Sequence, residues 1–182
     1  MPSHTLQIIN QQVALDTDYL KLSFSGDIEK TELYKLLRLK NLKHLNTACA
    51  DLCDQHLEVI GQITTLELLD LDSTAITDNG LQHLIPLNQL KELRLKDNPQ
   101  LTDACLDFLS NIEQLKLIHI GNTSITITGL ATLLAKKELA TIILDTTFDT
   151  ARDELLKITK QYPQLSITLK GTGVIANGKL NE

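Results

Sequence analysis

The amino-acid sequence predicts an α/β fold: strand–turn–helix units stacked so that their strands form one curved parallel sheet with helices on its other side. Three observations predict it. The stretch Leu66–Gln89, LELLDLDSTAITDNGLQHLIPLNQ, returns in imperfect copies as Leu90–Gln114 and Leu115–Glu138. A fixed period of this length marks a stacked repeat. Within each copy the apolar spacing changes, from two residues at Leu69 and Leu71 to three and four at Leu81, Leu84 and Ile85. That is a half-buried strand followed by a helix stripe. Finally, no copy can bury both sets alone. Some six inward side chains per copy, at roughly 1.5–3 kcal/mol each, gain that burial only against neighbouring copies.

Each part of the unit has a local reason. Asp72, Ser73 and Thr74 make the turn after the strand, and Ile76 points inward. Thr77 stands at the N-cap position and Asp78 supplies first-turn acid, both favoured at a helix start. Strands in a sheet lie about 4.8 Å apart whereas helices need about 10 Å, so the stack is expected to curve with strands inside.

Along the chain, residues 1–18 are expected to form an N-terminal cap, with Leu6, Ile8, Val13 and Leu15 alternating in a hairpin. Six repeats follow, at 19–41, 42–65, 66–89, 90–114, 115–138 and 139–164, within a single domain covering 1–182. In the degenerate first repeat, Leu22 and Phe24 take the strand positions and Leu33, Leu36 and Leu37 the helix stripe. Leu45 and Thr47 serve the second strand, and Ile142 and Leu144 the sixth. Pro163 ends the sixth helix and admits a last strand at 165–172, carrying Ile167 and Leu169. The glycine-rich, polar end, 173–182, is expected to be a frayed tail.

The pattern L-x-x-L-x-L-x-x-(T/N)-x-(I/L)-T-D-x-G-L-x-x-L resembles the leucine-rich repeat family. It is carried by Leu66, Leu69, Leu71, Thr74, Ile76, Thr77, Asp78, Gly80, Leu81 and Leu84, and by the corresponding residues of the next two copies, from Leu90 to Leu109 and from Leu115 to Leu133. The likeness is to cytosolic repeats of 24 residues with T-D-x-G-L helix starts, similar to ribonuclease-inhibitor-like, F-box-associated and bacterial members. It implies a right-handed solenoid with a concave sheet and convex helices. It also implies a role in protein–protein interaction, as inhibitor, immunity protein, adaptor or translocated effector.

Composition narrows the function classes. The chain is 42% hydrophobic but 3% aromatic, with no Trp, which suits aliphatic core layers. A formal charge of −6 argues against nucleic acid, which selects a basic stripe, and against an anionic membrane. The start of the chain lacks a basic segment followed by an apolar run, so no secretory signal is expected. No apolar run approaches the roughly 20 residues of a membrane span. Three cysteines, Cys49, Cys53 and Cys105, form no flanking cluster of the extracellular kind, which favours a reducing, cytoplasmic setting.

Two constellations invite chemistry. Cys49, Cys53 and His56 suggest a metal, yet no four-ligand set with zinc-like spacing accompanies them. Cys53 and Cys105 also fall where the template has Thr77 and Gly80, positions suited to small residues. Asp70 and Asp72 could act as a carboxylate pair, but Arg94 and Lys96 stand opposite them one strand over, so cross-strand pairing is expected. No nucleophile elbow or phosphate-cradling glycine loop is present. His44 and His119, three strands apart, cannot share a proton or metal.

The remaining candidates project outward from the strands: Leu68, Asp70, Asp72, Glu92, Arg94, Lys96, Leu117, His119 and Ile143. Large aliphatics have no structural need at solvent-facing strand positions. With charges beside them they read as a mixed interface core. The expectation is therefore a monomeric, non-enzymatic module without cofactor or metal, binding another protein on a seven-strand concave face, a basic partner being slightly preferred.

Overall fold

The computed structural model describes residues 5–26 and 28–181. Among them, β1 (Thr5–Ile8) and β2 (Gln11–Ala14) form an antiparallel hairpin. The strands β3 (Tyr19–Lys21), β4 (His44–Asn46), β5 (Leu68–Asp70), β6 (Glu92–Arg94), β7 (Leu117–His119), β8 (Thr141–Leu144) and β9 (Ser166–Leu169) then pair in sequence order, all parallel. β10 (Gly173–Ala176) and β11 (Lys179–Asn181) extend the same sheet antiparallel, giving nine strands among the described residues.

The register is the one that leucine spacing demands. Leu20, Leu45, Leu69, Leu93, Ile118, Ile142 and Ile167 are each the direct neighbour of the next. All are buried. The second layer follows the same order: α1 (Lys30–Leu33, continued by a 3-10 turn, Tyr34–Arg38), α2 (Asp54–Ile60), a 3-10 helix (Asp78–Leu84), α3 (Leu106–Ser110), α4 (Ile127–Lys136) and α5 (Arg152–Gln161), each packed on the one before. Leu57, Leu81, Leu106, Leu130 and Leu155 close the core between the layers.

The T-D pairs turn out to link repeats. Thr77, Thr102 and Thr126 are N-caps, as expected. Each aspartate, however, accepts from the threonine of the following repeat: Asp54 from the N–H and hydroxyl of Thr77, both at 2.7 Å, Asp78 from Thr102 at 2.8 and 2.7 Å, and Asp103 from Thr126 at 2.8 and 2.7 Å. The threonine hydroxyls of the last two in turn accept from the N–H groups of Ala104 and Gly129. The glycines of the motif follow from this: a Cβ on Gly80 would overlap the Asp54 carboxylate, and one on Gly129 that of Asp103. Asn98, wholly buried, ties adjacent turns by donating to Leu71 and Leu95 and accepting from the Thr74 N–H.

Four expectations need correction. In the first repeat Leu20, not the Leu22–Phe24 pair, stands in register with Leu45. Leu20, Leu22 and Phe24 are all buried, so alternation fixes the face but leaves a slip of two open. The N–H groups of Lys43 and His44, both donating to the Asp18 carbonyl, decide it. Ile85 is 37% exposed rather than part of the helix stripe. Its helix ends at Leu84 in 3-10 form, with Pro86 next but one and unable to continue the hydrogen-bond ladder. The C-terminal segment is a hairpin and not a frayed tail: Asn177 and Gly178 both take positive φ, the geometry of a two-residue turn matched to strand twist. The expected seven strands are accordingly nine. Ile175 is buried beside Ile167, and the Gly178 N–H donates to Thr159 of α5. The N-terminal hairpin is present, with Ile8 and Val13 buried.

Candidate partner-binding face

Because successive side chains on a strand point to opposite faces, the residues flanking each buried leucine form two rows across the sheet. One runs His44, Leu68, Glu92, Leu117, Thr141 and Ser166; the other runs Asn46, Asp70, Arg94, His119, Ile143 and Thr168. Leu68, Leu117 and Ile143 are half-buried, as are Glu92, Arg94, Asp72 and Lys96. Asp70 and His119 are each only 4% exposed. They support the face from beneath and offer little surface of their own.

The charges in the middle of the face form one network. Asp70 accepts from the Asn46 amide at 2.9 Å and from the Asp72 N–H at 3.1 Å. Arg94 reaches Asp70 at 3.7 Å but binds Glu92 more closely, at 2.7 Å. The expected Asp72–Lys96 pairing takes another form: the Lys96 backbone N–H donates to Asp72 at 2.7 Å, while its ammonium turns to Asp97 at 2.5 Å. An adjacent acid is simply nearer than one across the ladder. Asp72 also faces His119 Nδ1 at 3.8 Å, with β6 between their strands.

These surroundings displace two titrations. Burial and the Asp70 charge push the Asp72 carboxyl up to about 6. Burial and the cations Lys170, Lys96 and Arg94 push the His119 imidazole down to about 4. His119 Nε2 is buried and has no hydrogen-bond partner among the described residues. Near neutral pH the ring is thus uncharged, its Nδ1–H best directed at the Asp72 carboxylate. As a catalytic pair Asp70 and Asp72 are poorly placed, since Asp70 is covered and each carboxylate already holds backbone or amide donors.

The cysteine cluster serves local structure. Cys53 is the N-cap of α2, and His56 Nδ1 accepts from the Cys53 N–H at 3.0 Å. His56 Nε2, given this tautomer, donates to the Ile28 carbonyl at 2.9 Å. Cys49 occupies a left-handed turn position with its N–H on the Asp72 carbonyl. Both imidazole nitrogens are used, and no group of three or more His, Cys, Asp or Glu is arranged to hold a metal among the described residues. A cleft of about 900 Å³ lies away from the charged network, between the N-terminal hairpin and first repeat, lined by Ile9, Phe24, Ile28, Glu32, Lys35 and Cys49.

Some residues of the face were not legible beforehand. The corrected register puts Tyr19, 52% exposed, at its start beside His44, and moves Lys21, already expected outward, from that row to the one beside Asn46. The C-terminal hairpin adds Val174 beside Thr168 and Ala176 beside Ser166. The sequence signal for the latter was Asn177-Gly178 between alternating apolar residues.

No family model matches the chain, and no curated protein matches it. Among solved structures it is similar to an internalin C2 of Listeria monocytogenes, with a TM-score of 0.53 and 18% identity, over 88% of this chain and 76% of that one. A second internalin of that organism (inlF) aligns with a TM-score of 0.45 and 17% identity over 78% of this chain, which spans 49% of that protein's length. The first likeness and the repeat register together give a leucine-rich-repeat fold. Among the described residues, no helix is long and apolar enough to cross a membrane.

Proposed function

We propose that this protein is a non-catalytic interaction module that binds a partner protein across its strand face. The observation that carries the reading is the alignment of Leu68, Leu117 and Ile143, all half-buried, with a charge network on the same face. The core of the opposite sheet face is filled without them. The Asp72–His119 approach, bridging a strand, supports a sheet whose outward side chains converge, as on the concave side of a right-handed solenoid. A standard interface needs roughly 800 Å² per partner, which nine adjacent strands can offer.

On this reading the chain is one domain of six 24-residue-type repeats behind an N-terminal cap. It acts as a monomer in the cytoplasm, as an inhibitor, immunity protein, adaptor or effector. Free Cys49, Cys53 and Cys105 fit a reducing compartment. Leu68, Asp72, Glu92, Arg94, Lys96, Leu117 and Ile143 make the contact, with Asp70 and His119 setting their positions. Neither nucleic acid nor membrane is the target.

The test is affinity capture from native lysate with the wild-type chain and with Leu68→Asp/Leu117→Asp/Arg94→Glu, folding being checked by circular dichroism. A partner held by the first and lost by the second is the expected result. Equal recovery by two equally folded proteins would move the contact to the helices or termini.

A further inference from the structure

The two ends of the strand face differ in chemistry. Across β5 and β6 the outward positions carry Leu68, Asp70, Glu92 and Arg94, three of the four charged, with Asp72 and Lys96 just beyond. From β7 to β10 they carry, besides His119, Leu117, Thr141, Ile143, Ser166, Thr168, Val174 and Ala176, none of them charged. These seven span four strands, about 14 Å of sheet. Val174 is 37% exposed and the other six are half-buried, although each is on the face away from the core. Charged groups stand at the patch's edges: Arg94 and Glu92 beside β7, Asp145 and Lys170 beyond the strand ends, and Lys179 in β11. The positive and negative groups of this rim are both represented, so it does not select a partner of strong single-sign charge.

His119 sits where the patch meets the charged half, as the direct neighbour of Ile143. Its side chain is 5% exposed, its Nδ1 faces Asp72, and its Nε2 has no hydrogen-bond partner among the described residues. A buried polar atom in this condition carries a desolvation cost that a new bond relieves. Arg94, Lys96 and Lys170 surround it electrostatically, which disfavours a cationic donor and leaves a hydroxyl or an amide.

We infer that the interface core lies on the β7–β10 half of the face, and that its occupant is an uncharged segment of a partner protein laying aliphatic side chains over Ile143 and Val174 and offering a neutral hydrogen-bond donor to His119 Nε2. This rests on the interaction reading above and assigns it a place and a partner chemistry. Apolar contact supplies the attraction, since uncharged rows cost little to desolvate. The His119 acceptor sets orientation, because an occupant lacking a donor leaves the buried nitrogen unmet. Docking has to shift a side chain beside the ring to reach it.

A phage-displayed library of random twelve-residue peptides, panned on the full chain, tests this. Recovered clones are expected to combine aliphatic residues with Ser, Thr, Asn or Gln and to lack charge at their centre. Binding of the selected peptides should fall at least tenfold on Ile143→Glu/Val174→Lys, fall less on Leu68→Asp, and stay within twofold on Ile85→Asp, which is exposed at the end of a helix and off the strand face. On His119→Phe it should weaken about five- to tenfold, the equivalent of one hydrogen bond. Clones lost only on Leu68→Asp would overturn the placement while leaving the strand-face reading intact. Clones indifferent to every substitution would remove both. Clones rich in Lys, Arg, Asp or Glu, or no clones at all, would overturn the assigned chemistry. Circular dichroism melts of each variant separate these results from unfolding.

Discussion

Gly129→Ala is the substitution whose sign tests the inter-repeat ladder. In the interior of a helix, alanine in place of glycine ordinarily stabilises by about 1 kcal/mol. Gly129 lies in the first turn of α4, but an added Cβ would overlap the Asp103 carboxylate. That carboxylate accepts two hydrogen bonds from Thr126, at 2.8 and 2.7 Å. Losing both outright would cost on the order of 3 kcal/mol, given about 1.5 kcal/mol or more for each bond to a charged group. Cys105 occupies the matching place one repeat earlier, and Asp78 there still holds Thr102 at 2.8 and 2.7 Å. The carboxylate can therefore move without releasing everything, so the penalty should come to about 2 kcal/mol. Against the helix gain, Gly129→Ala should destabilise by about 1 kcal/mol. In an Asp103→Ala background the obstacle is gone, and the same change should stabilise by up to about 1 kcal/mol. Urea denaturation of the four proteins of the cycle measures the coupling. Equal effects of Gly129→Ala in both backgrounds would refute the ladder as the reason for the glycine.

Opposed titrations give a pH signature. Asp72 titrates near 6 when folded, against about 3.9 unfolded, so it weakens the fold as pH rises from about 4 to 6. His119 titrates near 4 when folded, against about 6.5 unfolded, so it strengthens the fold as pH rises through a similar window. Asp72→Asn should therefore steepen the rise in stability from about pH 4 to 6.5, and His119→Gln should reverse that change, each by on the order of 2 kcal/mol; chemical denaturation at successive pH values reads it. Leu93→Ala, at a fully buried site between Leu69 and Ile118, should cost about 2–5 kcal/mol. Ile85→Ala, at an exposed one, should stay within about 0.5 kcal/mol in the same assay. Gly178→Ala forces a side chain onto φ +71° with Lys160 Cβ 3.1 Å away, and limited proteolysis should cut the β10–β11 hairpin faster. Elemental analysis of purified protein should find no stoichiometric zinc, because His56 spends both nitrogens on the chain.

The places where sequence reasoning succeeded and failed share a physical logic. Leu69 and Leu71 set a strand, and Leu81 and Leu84 a helix face, because periodicity is a property of neighbours along the chain. Where alternation ran on through Leu20, Leu22 and Phe24, the same rule could not choose between registers, and a backbone bond to Asp18 did. Thr77 and Asp78 could be read as a helix start. Nothing along the chain shows that Asp78 reaches forward to Thr102. At the candidate face, Leu68, Leu117 and Ile143 were legible as outward by parity alone. The burial of Asp70 and His119 was not, since it depends on what neighbouring strands lay over them.

The sequence by itself determined the repeat, the strand and helix regions of the copies, their helix caps and the parity of the strand residues within the repeats, because spacing and cap chemistry act over a few residues. Only the tertiary structure decided the register of β3, the partners of each aspartate, the extension of the sheet by β10 and β11, and which outward side chains stay accessible. Those depend on groups some 24 residues distant being brought within a strand's width, and a one-dimensional pattern carries no measure of that closeness.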